Sequence, residues 1–578
     1  MFLSPEEKAI GKENFYAALG SKPIRRELLM KAIKADVRPG AGLGSLYFGY
    51  GDSVSSPVRV GVLGTGDEGS VLLGAINPKY IEVKAIADIR PYNVWRAFHG
   101  DYSSEAARKA RPGLMSVYGW KSEDEARRNV KVYGAYEELL ANAKQDGIEA
   151  IVIALPLHLH ATAAVAAMRA GLDVLTEKLM GHSVRECKEM ARVAEQTSRL
   201  LAVGHQRHYN ILYDDASDMI RKGLLGELHS IRAQWNRGNL PGADSWQPPM
   251  PEKAKPDDPQ AHKLDRDLQN MLVVLNELKR SGKPTIAWDN RIAQLRAQLE
   301  DAVVDAKKFG YLDGELKDGS GKVVYRRPAI EELIRWRLWN RTGAGLMAEL
   351  GSHQLDAASI FIAAAHGGQK QYPLNVAASS NRSLFPYDRE VEDHVYCVFE
   401  FPAPGYDAKD PIASRKKIGV QYASINGNGF GGYGETVLGT EGTLLLETEK
   451  DPMLYKTQDT SSKTRVVVPN GGSKKGVPTL QVDDNGDQES EAIGALGALP
   501  ADRGYTEELE HWAWCIRNRD PNHQPHCNPK VALGDAVIAL TTNMAARQGE
   551  RIEFKPEWFD VQSDETPEGD KPDVSRYK

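Results

Sequence analysis

Three glycines between a predicted strand and a predicted helix carry the strongest chemical signal in this sequence. Residues 58–63 are apolar and strand-like, Gly64, Gly66 and Gly69 follow at once, and a helical stretch covers 71–76. In such a turn the first glycine makes a tight bend, the second lets backbone N–H groups approach a pyrophosphate, and the third lets the helix pack on the strand. The helix N-terminus then faces the negative charge. The pattern predicts a dinucleotide site.

A carboxylate at the end of the next strand indicates which dinucleotide binds. Asp88 follows the strand 81–87 and lies nineteen residues past Gly69. There it can accept a hydrogen bond from a ribose 2′-OH and repel a 2′-phosphate. Arg90 keeps NADP open, because its guanidinium could pair with that phosphate. The sequence therefore favours NAD, with NADP as the alternative.

Acid–base groups occur in two further places. Glu177-Lys178 ends a predicted parallel strand, where a lysine can stabilise a developing alkoxide. Glu349, His353 and Asp356 would share one helix face, and an imidazole suits proton removal from an alcohol. Taken alone, Glu177-Lys178 is more typical of a solvated surface pair, and His353 of a structural, hydrogen-bonded histidine. Beside the glycine turn, they predict a catalytic pair.

Weaker candidates follow two other strands at the same predicted edge. Pro156, His158 and His160 come after the strand 150–154, and Arg207 comes after the last strand of this region. They could border a cofactor cleft or simply be hydrogen-bonding loop residues. No second pair of ligands at zinc spacing accompanies any histidine, so we predict no metal site.

Composition limits the class of protein. The 578 residues carry 73 Lys and Arg against 79 Asp and Glu, a net charge of −6, so no overall positive field indicates nucleic acid. A content of 41% hydrophobic and 26% charged residues argues against disorder. Four cysteines exclude a disulfide scaffold. No uncharged apolar run reaches the roughly 18 residues that span a membrane. A large globular enzyme fits these limits.

The order of predicted elements gives the domain organisation. Strands alternate with helices through the first third of the chain, which indicates βαβ units and a parallel sheet. Two leucine-rich runs within 262–308 predict a helical hairpin, residues 456–500 read as a long surface loop, and the acidic end reads as frayed. The expected divisions are an arm over 1–56, a nucleotide domain over 57–205, a second domain over 206–560 with a helical insert over about 251–330, and a tail over 561–578.

The N-terminal arm bears on the compartment. Arg25-Arg26 precedes a short apolar and small-residue stretch, an outline typical of a twin-arginine export signal. Charged residues such as Lys31, Lys34 and Asp36 interrupt that stretch. We therefore expect a cytoplasmic protein, with periplasmic export as the alternative.

Together and in this order, these pieces resemble the Gfo/Idh/MocA family, which includes glucose–fructose oxidoreductase and inositol dehydrogenase. The resemblance covers roughly residues 57–560 and extends to large members of planctomycete-type bacteria. It rests on Val60-Gly61-Val62-Leu63-Gly64-Thr65-Gly66, Asp88, Ile153-Ala154-Leu155-Pro156-Leu157-His158-Leu159-His160, Thr176-Glu177-Lys178, Trp336-Arg337-Leu338, Gly351-Ser352-His353-Gln354-Leu355-Asp356 and Gly439-Thr440-Glu441-Gly442-Thr443-Leu444.

The resemblance implies an α/β fold: an N-terminal Rossmann parallel sheet, then a C-terminal α/β domain with a large, mostly antiparallel open sheet. It also implies a homodimer or homotetramer. Lys178 would be the catalytic lysine and His353 the catalytic histidine, with Glu349 in place of an aspartate. Other positions would bind the cofactor: Gly64, Thr65, Gly66, Gly69, Asp88, Arg90, Pro156, His158, His160, Glu177, Lys178, Arg207, Trp336 and Arg337.

This sequence departs from the family pattern at three positions. Leu179 replaces the proline after Glu-Lys, Leu157 replaces a polar residue, and Glu349 is one methylene longer than aspartate. The implied activity is NAD(P)-dependent oxidation of a secondary alcohol in a sugar, cyclitol or glycoside. One alternative is redox-neutral glycoside hydrolysis with a tightly bound cofactor. Another is a cofactor-binding protein without turnover.

Overall fold

The computed structural model describes residues 3–20, 43–51, 53–467, 478–482 and 503–577. The twin-arginine dipeptide of the sequence lies outside these residues. Within them, two large sheets stand one after the other along the chain. No helix in the described ranges is both long and apolar enough to cross a membrane.

The first sheet confirms the predicted Rossmann architecture. Its six strands are all parallel and lie in the order β3-β2-β1-β4-β5-β6, a doubly wound arrangement whose ligands bind at the carboxyl ends of the strands. Helices cover both faces, which is why most residues of the central strands are buried. The strands are β1 Val58–Leu63, β2 Ile81–Ala87, β3 Lys131–Tyr133, β4 Ala150–Ile153, β5 Asp173–Glu177 and β6 Leu201–Gly204.

The second sheet has eight strands in the order β15-β14-β13-β7-β12-β11-β10-β18. Only β7 and β12 pair in parallel, so the sheet is mostly antiparallel, as the resemblance implied. Alternate residues of β11 are buried, because one face packs against helices. The strands are β7 Leu228–Asn236, β10 Asn375–Asn381, β11 His394–Pro402, β12 Lys417–Ile425, β13 Tyr433–Gly439, β14 Gly442–Glu447, β15 Asp451–Lys456 and β18 Ile552–Glu553.

Two short hairpins accompany the sheets: β8 Gly314–Lys317 with β9 Val323–Arg327, and β16 Thr464–Val467 with β17 Thr479–Val482. The second hairpin corrects part of the expectation of a long loop over 456–500, since residues 464–467 and 479–482 pair as antiparallel strands. The other residues between 467 and 503, apart from those around β17, lie outside the described chain.

The α-helices of the described residues surround these sheets. In chain order they are α1 Pro5–Gly20, α2 Leu43–Phe48, α3 Asp67–Ala75, α4 Pro91–His99, α5 Glu105–Ala110, α6 Leu114–Tyr118, α7 Glu123–Asn129, α8 Tyr136–Asn142, α9 His160–Arg169, α10 Val184–Thr197, α11 Ile211–Arg221, α12 Lys263–Arg280, α13 Ile286–Glu300, α14 Ala329–Ile334, α15 Asn340–Gly343, α16 Ser352–Ala365, α17 Tyr505–Arg517 and α18 Pro529–Gln548.

The insert forms a helical hairpin of α12 and α13, where the leucine periodicity predicted one. Leu268 and Leu295 lie in a small core between the two helices. Helix α13 also packs against α4 of the Rossmann domain. The insert, which follows the Rossmann domain in sequence, therefore reaches the carboxyl edge of the first sheet.

The acidic end of the chain is docked, so the expectation of a frayed tail is wrong. The buried ammonium of Lys188 donates to the backbone carbonyl oxygens of Glu557, Ser563 and Glu565 at 2.7–3.0 Å. Burial lowers the pKa of Lys188 to about 8. Because a buried ammonium needs acceptors and these carbonyls provide them, the tail is fixed to α10.

Candidate active site

A cavity of about 990 Å³ opens at the carboxyl ends of the first sheet and continues to the second. The glycine turn and the end of β2 line one end. The end of β5, the residues before α16 and the end of β7 line the other. The predicted site residues that line it are Gly64, Gly66, Asp88, Arg90, Pro156, His160, Glu177, Lys178, Trp336, Arg337, Glu349 and His353.

The glycine turn has the geometry that close approach of a ligand requires. Gly64 has φ +83°, and a Cβ there would lie 2.5 Å from the carbonyl oxygen of Ala154. A Cβ at Gly69 would collide with the carbonyl oxygen of Gly64, so this glycine serves helix–strand packing. A Cβ at Gly66 would meet only Asn93, at 3.8 Å. The space above Gly66, at the start of α3, is therefore free for a phosphate group.

Asp88 is held at the mouth of this turn. One carboxylate oxygen accepts from the backbone N–H of Thr65 at 2.8 Å, and the other accepts from the N–H of Arg90 at 2.9 Å. Asn93 donates to both oxygens. Burial raises the pKa of Asp88. The carboxylate thus has a fixed orientation beside the cavity, which fits hydrogen bonding to a ribose.

Arg90 is already paired with a residue of the insert. Its guanidinium donates to Asp301 through Nε at 3.0 Å and Nη2 at 2.8 Å. Asp301 is buried and also accepts from the backbone N–H of Tyr92 at 3.1 Å. The charge of Arg90 is therefore neutralised, which favours NAD over NADP at this end of the cavity.

The two loop histidines differ in position. The ring of His160 contacts the carbonyl oxygens of Leu155 at 2.8 Å and Leu179 at 2.9 Å, so it ties the loops after β4 and β5 together. His158 does not line the cavity but packs edge-on against Tyr311 at 5.6 Å. Burial lowers the pKa of His158 to about 3, so its ring is neutral.

Lys178, Glu349 and Arg337 form a connected group where β5 ends. The ammonium of Lys178 donates to the backbone carbonyl oxygen of Glu349 at 2.5 Å and lies 3.9 Å from its carboxylate. Arg337 donates to that carboxylate at 2.6 Å. Burial alone would raise the pKa of Glu349, but Arg337 and Lys178 lower it to about 2. Glu349 is thus ionised and acts as an acceptor. The peptide bond between Lys178 and Leu179 is cis.

His353 completes this end of the cavity. Its ring centroid lies 5.4 Å from that of Trp235, on β7 of the second sheet. Burial, and then the positive charges of Lys178 and Arg207, hold its pKa well below 6.5. A neutral imidazole beside an ammonium can accept a proton from a hydroxyl that the ammonium polarises.

Glu177 is a buried carboxyl group behind the lysine. It accepts from the backbone N–H of Lys178 at 3.0 Å, and its second oxygen has no hydrogen-bond partner among the described residues. Burial, reinforced by Glu68, raises its pKa to about 8. Glu177 is therefore mostly protonated near neutrality and can donate a hydrogen bond into the cavity.

Besides His158, the predicted residues Thr65, Gly69, Arg207 and Asp356 lie outside the cavity lining. Arg207 is buried and pairs with Glu449 at 2.5 Å and Gln354 at 2.7 Å. Asp356 does not converge with Glu349 and His353; it accepts from His208 at 2.8 Å behind them. The expected single face is wrong because Glu349 lies in a π turn, which changes the angular spacing relative to an α-helix.

Behind Asp356 lies a buried polar cluster. His205, Cys527 and Asp535 have potential ligand atoms within 4.8 Å of one another. The ammonium of Lys370 already pairs with Asp535 at 2.6 Å. The buried carboxylate thus has a cation from the chain itself.

Several cavity residues carried no motif in the sequence. Asp301 and Tyr311 come from the insert, and Trp235, Arg237 and Trp246 come from β7 and the segment after it. A charged residue directly after a strand was the available signal for Arg237, but β7 itself was not predicted. The insert residues gave no local signal.

The residues present fit a nicotinamide dinucleotide. The free space over Gly66, the positive end of α3 and the fixed Asp88 carboxylate suit a pyrophosphate and a ribose. Lys178 and His353 lie in the same cavity. Backbone N–H groups of the glycine turn and Asp88 would hold the cofactor, and Glu177, Trp336 and Arg337 would border its other end.

Known proteins show similarity in two ways. Residues 58–205 match the sequence profile of the Gfo/Idh/MocA family, described as an oxidoreductase family with an NAD-binding Rossmann fold. An uncharacterised oxidoreductase of Schizosaccharomyces pombe is 33% identical over 147 residues, which is 24% of this chain and 39% of that protein. A glycosyl hydrolase family 109 protein of Stenotrophomonas maltophilia is 30% identical over 177 residues, or 30% of this chain and 35% of that protein.

The matched region thus spans less than half the length of these relatives.

A solved structure extends the similarity of fold. It is an inositol dehydrogenase homologue from Azotobacter vinelandii complexed with NAD⁺, with a TM-score of 0.50 at 14% identity, covering 87% of this chain and 98% of that one. Residues 58–205 are therefore similar to the NAD-binding Rossmann domain of the Gfo/Idh/MocA oxidoreductase family.

Proposed function

We propose that this protein is an NAD-dependent oxidoreductase that oxidises a secondary alcohol of a sugar, cyclitol or glycoside. One observation carries the proposal: Lys178 and His353 line the same cavity as Gly66 and Asp88. A proton acceptor and an oxyanion stabiliser thus share one space with the dinucleotide site. The same proposal includes a homodimer or homotetramer, which light scattering on the purified protein tests.

Each side chain has a defined task in this proposal. Bound NAD⁺ supplies the acceptor for the hydride that leaves the carbinol carbon. The ammonium of Lys178 donates a hydrogen bond to the substrate oxygen and stabilises its developing negative charge. His353 accepts the hydroxyl proton, so a carbonyl forms as the C–H bond breaks. Glu349 orients Lys178 through its backbone carbonyl oxygen and holds Arg337 through its carboxylate.

The experiment adds NAD⁺ and a panel of sugars, cyclitols and glycosides to the purified protein. Reduced-nicotinamide absorbance and product mass are then recorded. The proposal requires a ketone product from at least one compound, and formation of that product about 10²–10⁴-fold more slowly by the Lys178→Ala variant. Full turnover by that variant would refute the assigned role of Lys178.

A second candidate is redox-neutral glycoside hydrolysis, in which a transient oxidation labilises the leaving group. Similarity to the glycosyl hydrolase family 109 protein favours it. The anchored insert also favours it, because Asp301 binds Arg90 next to Asp88, Gln294 accepts from the backbone N–H of Tyr102, and both contacts would slow cofactor exchange. Free sugar released without net reduced nicotinamide would select this candidate over the dehydrogenase.

A further inference from the structure

One wall of the cavity has no task in hydride transfer. It begins at the end of β7 with Trp235 and Arg237 and continues through Ser245 and Trp246 to the prolines at 248, 249 and 251. This wall faces the space next to Lys178 and His353. It is therefore where the remainder of a substrate would lie.

Arg237 lies on this wall and carries a positive charge that no acidic side chain of the described residues pairs with. Among the described residues it forms no ion pair, and its hydrogen bond is a long one, from Nη1 to Oγ of Ser245 at 3.4 Å. Two other arginines that line the cavity are paired: Arg337 with Glu349 at 2.6 Å and Arg503 with Glu449 at 3.0 Å. Arg237 thus differs from these two arginines.

The acids near Arg237 are already bound to other cations. Glu349 accepts from Arg337, and Asp244 accepts from Arg389 at 2.6 Å. Arg237 itself is only partly exposed, and burial lowers its pKa from the ordinary value. A partly desolvated guanidinium without a counter-ion is costly, and a bound anion would remove that cost.

The surroundings of Arg237 also specify the kind of molecule. Its guanidinium carbon lies 6.0 Å from the ring centroid of Trp235 and 5.7 Å from that of Trp246. Two indole rings in a cavity offer flat apolar surfaces, which suit the C–H faces of a sugar or cyclitol ring. Near them, Lys178, Arg337 and Arg237 bring three positive charges against the ionised Glu349.

We infer that Arg237 is a specificity-determining residue that binds an oxyanion on the substrate, so that the preferred substrate is an acidic sugar or sugar derivative. The oxyanion is the carboxylate of a uronic acid or the phosphate of a sugar ester. This inference rests on the proposed function, because it places the anion on the molecule that Lys178 and His353 oxidise.

The test compares matched compounds on the NAD-loaded protein: D-glucose, D-glucuronate and D-glucose 6-phosphate, together with the methyl glycosides of the first two. Calorimetry measures binding and product mass measures turnover. We expect an anionic member to bind at least about tenfold more tightly than the neutral one, as a charge-assisted hydrogen bond provides. The tighter anion identifies carboxylate or phosphate as the group recognised.

Variants make the assignment specific. Arg237→Gln should remove the preference for the anion, and Arg237→Lys should retain part of it. Arg232→Gln on the exposed side of the same strand is the matched control and should leave the preference intact. Equal binding of neutral and anionic compounds, or a preference that survives in Arg237→Gln, would overturn the inference.

Binding and turnover separate the two proposals. Anion binding that depends on Arg237, without oxidation of any bound compound, would support the anion site and contradict the oxidoreductase. Oxidation of neutral sugars that ignores Arg237 would support the oxidoreductase and contradict the anion site.

Discussion

The ammonium of Lys178 donates to the backbone carbonyl oxygen of Glu349 at 2.5 Å and thereby joins the end of β5 to the π turn before α16. These residues are 171 positions apart in sequence. Lys178 follows a strand of the first sheet, and Glu349 precedes a helix that packs on the second sheet. The contact fixes the lysine beside His353, which follows the same turn. The relative position of the acid–base pair therefore depends on how the Rossmann domain meets the second half of the chain.

Substitution of Lys178 should slow the chemical step and leave the affinity for the cofactor unchanged. For Lys178→Ala we expect kcat to fall by about 10²–10⁴-fold, the usual contribution of such a group. Calorimetry with NAD⁺ should give the wild-type affinity. The exposed Lys79→Ala is the control and should be fully active. A Lys178→Ala enzyme with normal kcat would contradict the role assigned here.

His353 should give an unusual pH profile. Because its pKa is held well below 6.5, the neutral, proton-accepting form prevails throughout the physiological range. The acid limb of kcat/KM should therefore lie below pH 6.5 and disappear in His353→Asn, together with about 10²–10⁴-fold of the rate. His229→Asn, on the exposed side of β7, should keep the wild-type profile. An acid limb unchanged in His353→Asn would assign the proton acceptor elsewhere.

The pair Arg90–Asp301 should control discrimination between NAD and NADP. Asp301→Asn removes the charge that neutralises Arg90, so the guanidinium becomes available to a 2′-phosphate. The ratio of kcat/KM for NADP to that for NAD should rise about tenfold. Steady-state kinetics with each cofactor provide the ratio, and the exposed Asp305→Asn serves as the control. No change in the ratio would mean that Asp88 alone sets the preference.

Glu177 should make stability depend on pH. Its pKa is raised from 4.5 to about 8, so the folded protein binds a proton that the unfolded chain releases. The stabilisation is complete below about 4.5 and is lost as the pH rises through about 8. Denaturant unfolding at both ends of this range gives the loss of unfolding free energy with rising pH. That loss should be larger in wild type than in Glu177→Gln by on the order of a few kcal/mol.

The exposed Glu82→Gln is the matched control for that measurement and should follow wild type. If Glu177→Gln lost stability with pH as steeply as wild type, another buried acid would be responsible.

The strands of the Rossmann sheet were predictable, with one exception. The apolar runs at β1, β2, β4, β5 and β6 have clear lengths and flanking turns. The exception, β3, has only three residues and is less apolar, so its pairing with β2 decides its conformation. The local pattern predicts a strand that is buried on both faces, as the edge strand β6 is, and fails for the short and partly exposed β3.

The strands of the second sheet were harder to predict from the sequence. Strand β7 begins with Leu228-His229-Ser230-Ile231, which breaks strict alternation, and it is paired with segments about 190 residues away. Without β7, the wall that carries Arg237 could not be placed. The extended conformation of β7 is therefore determined by its distant partner strands more than by its own residues.

Contacts between residues far apart in sequence explain which parts of the site could not be predicted. Arg90 and Asp301 are 211 residues apart, and only the docking of the insert brings them together. Asp356 was misplaced because nothing in the local sequence predicts the π turn over Met347–Gly351. Gly66, Asp88 and Lys178, which carry motifs, line one cavity because the parallel strands before them end at one edge of the sheet.

The most direct measurement is mass spectrometry of nicotinamide released from the denatured purified protein, coupled to product analysis after addition of neutral and acidic sugars. The account predicts that the protein binds NAD and converts at least one sugar or glycoside, and that Lys178→Ala binds NAD but converts the same compound about 10²–10⁴-fold more slowly. A protein that takes up no nicotinamide dinucleotide, or one that converts its sugar equally well without any, would contradict the account.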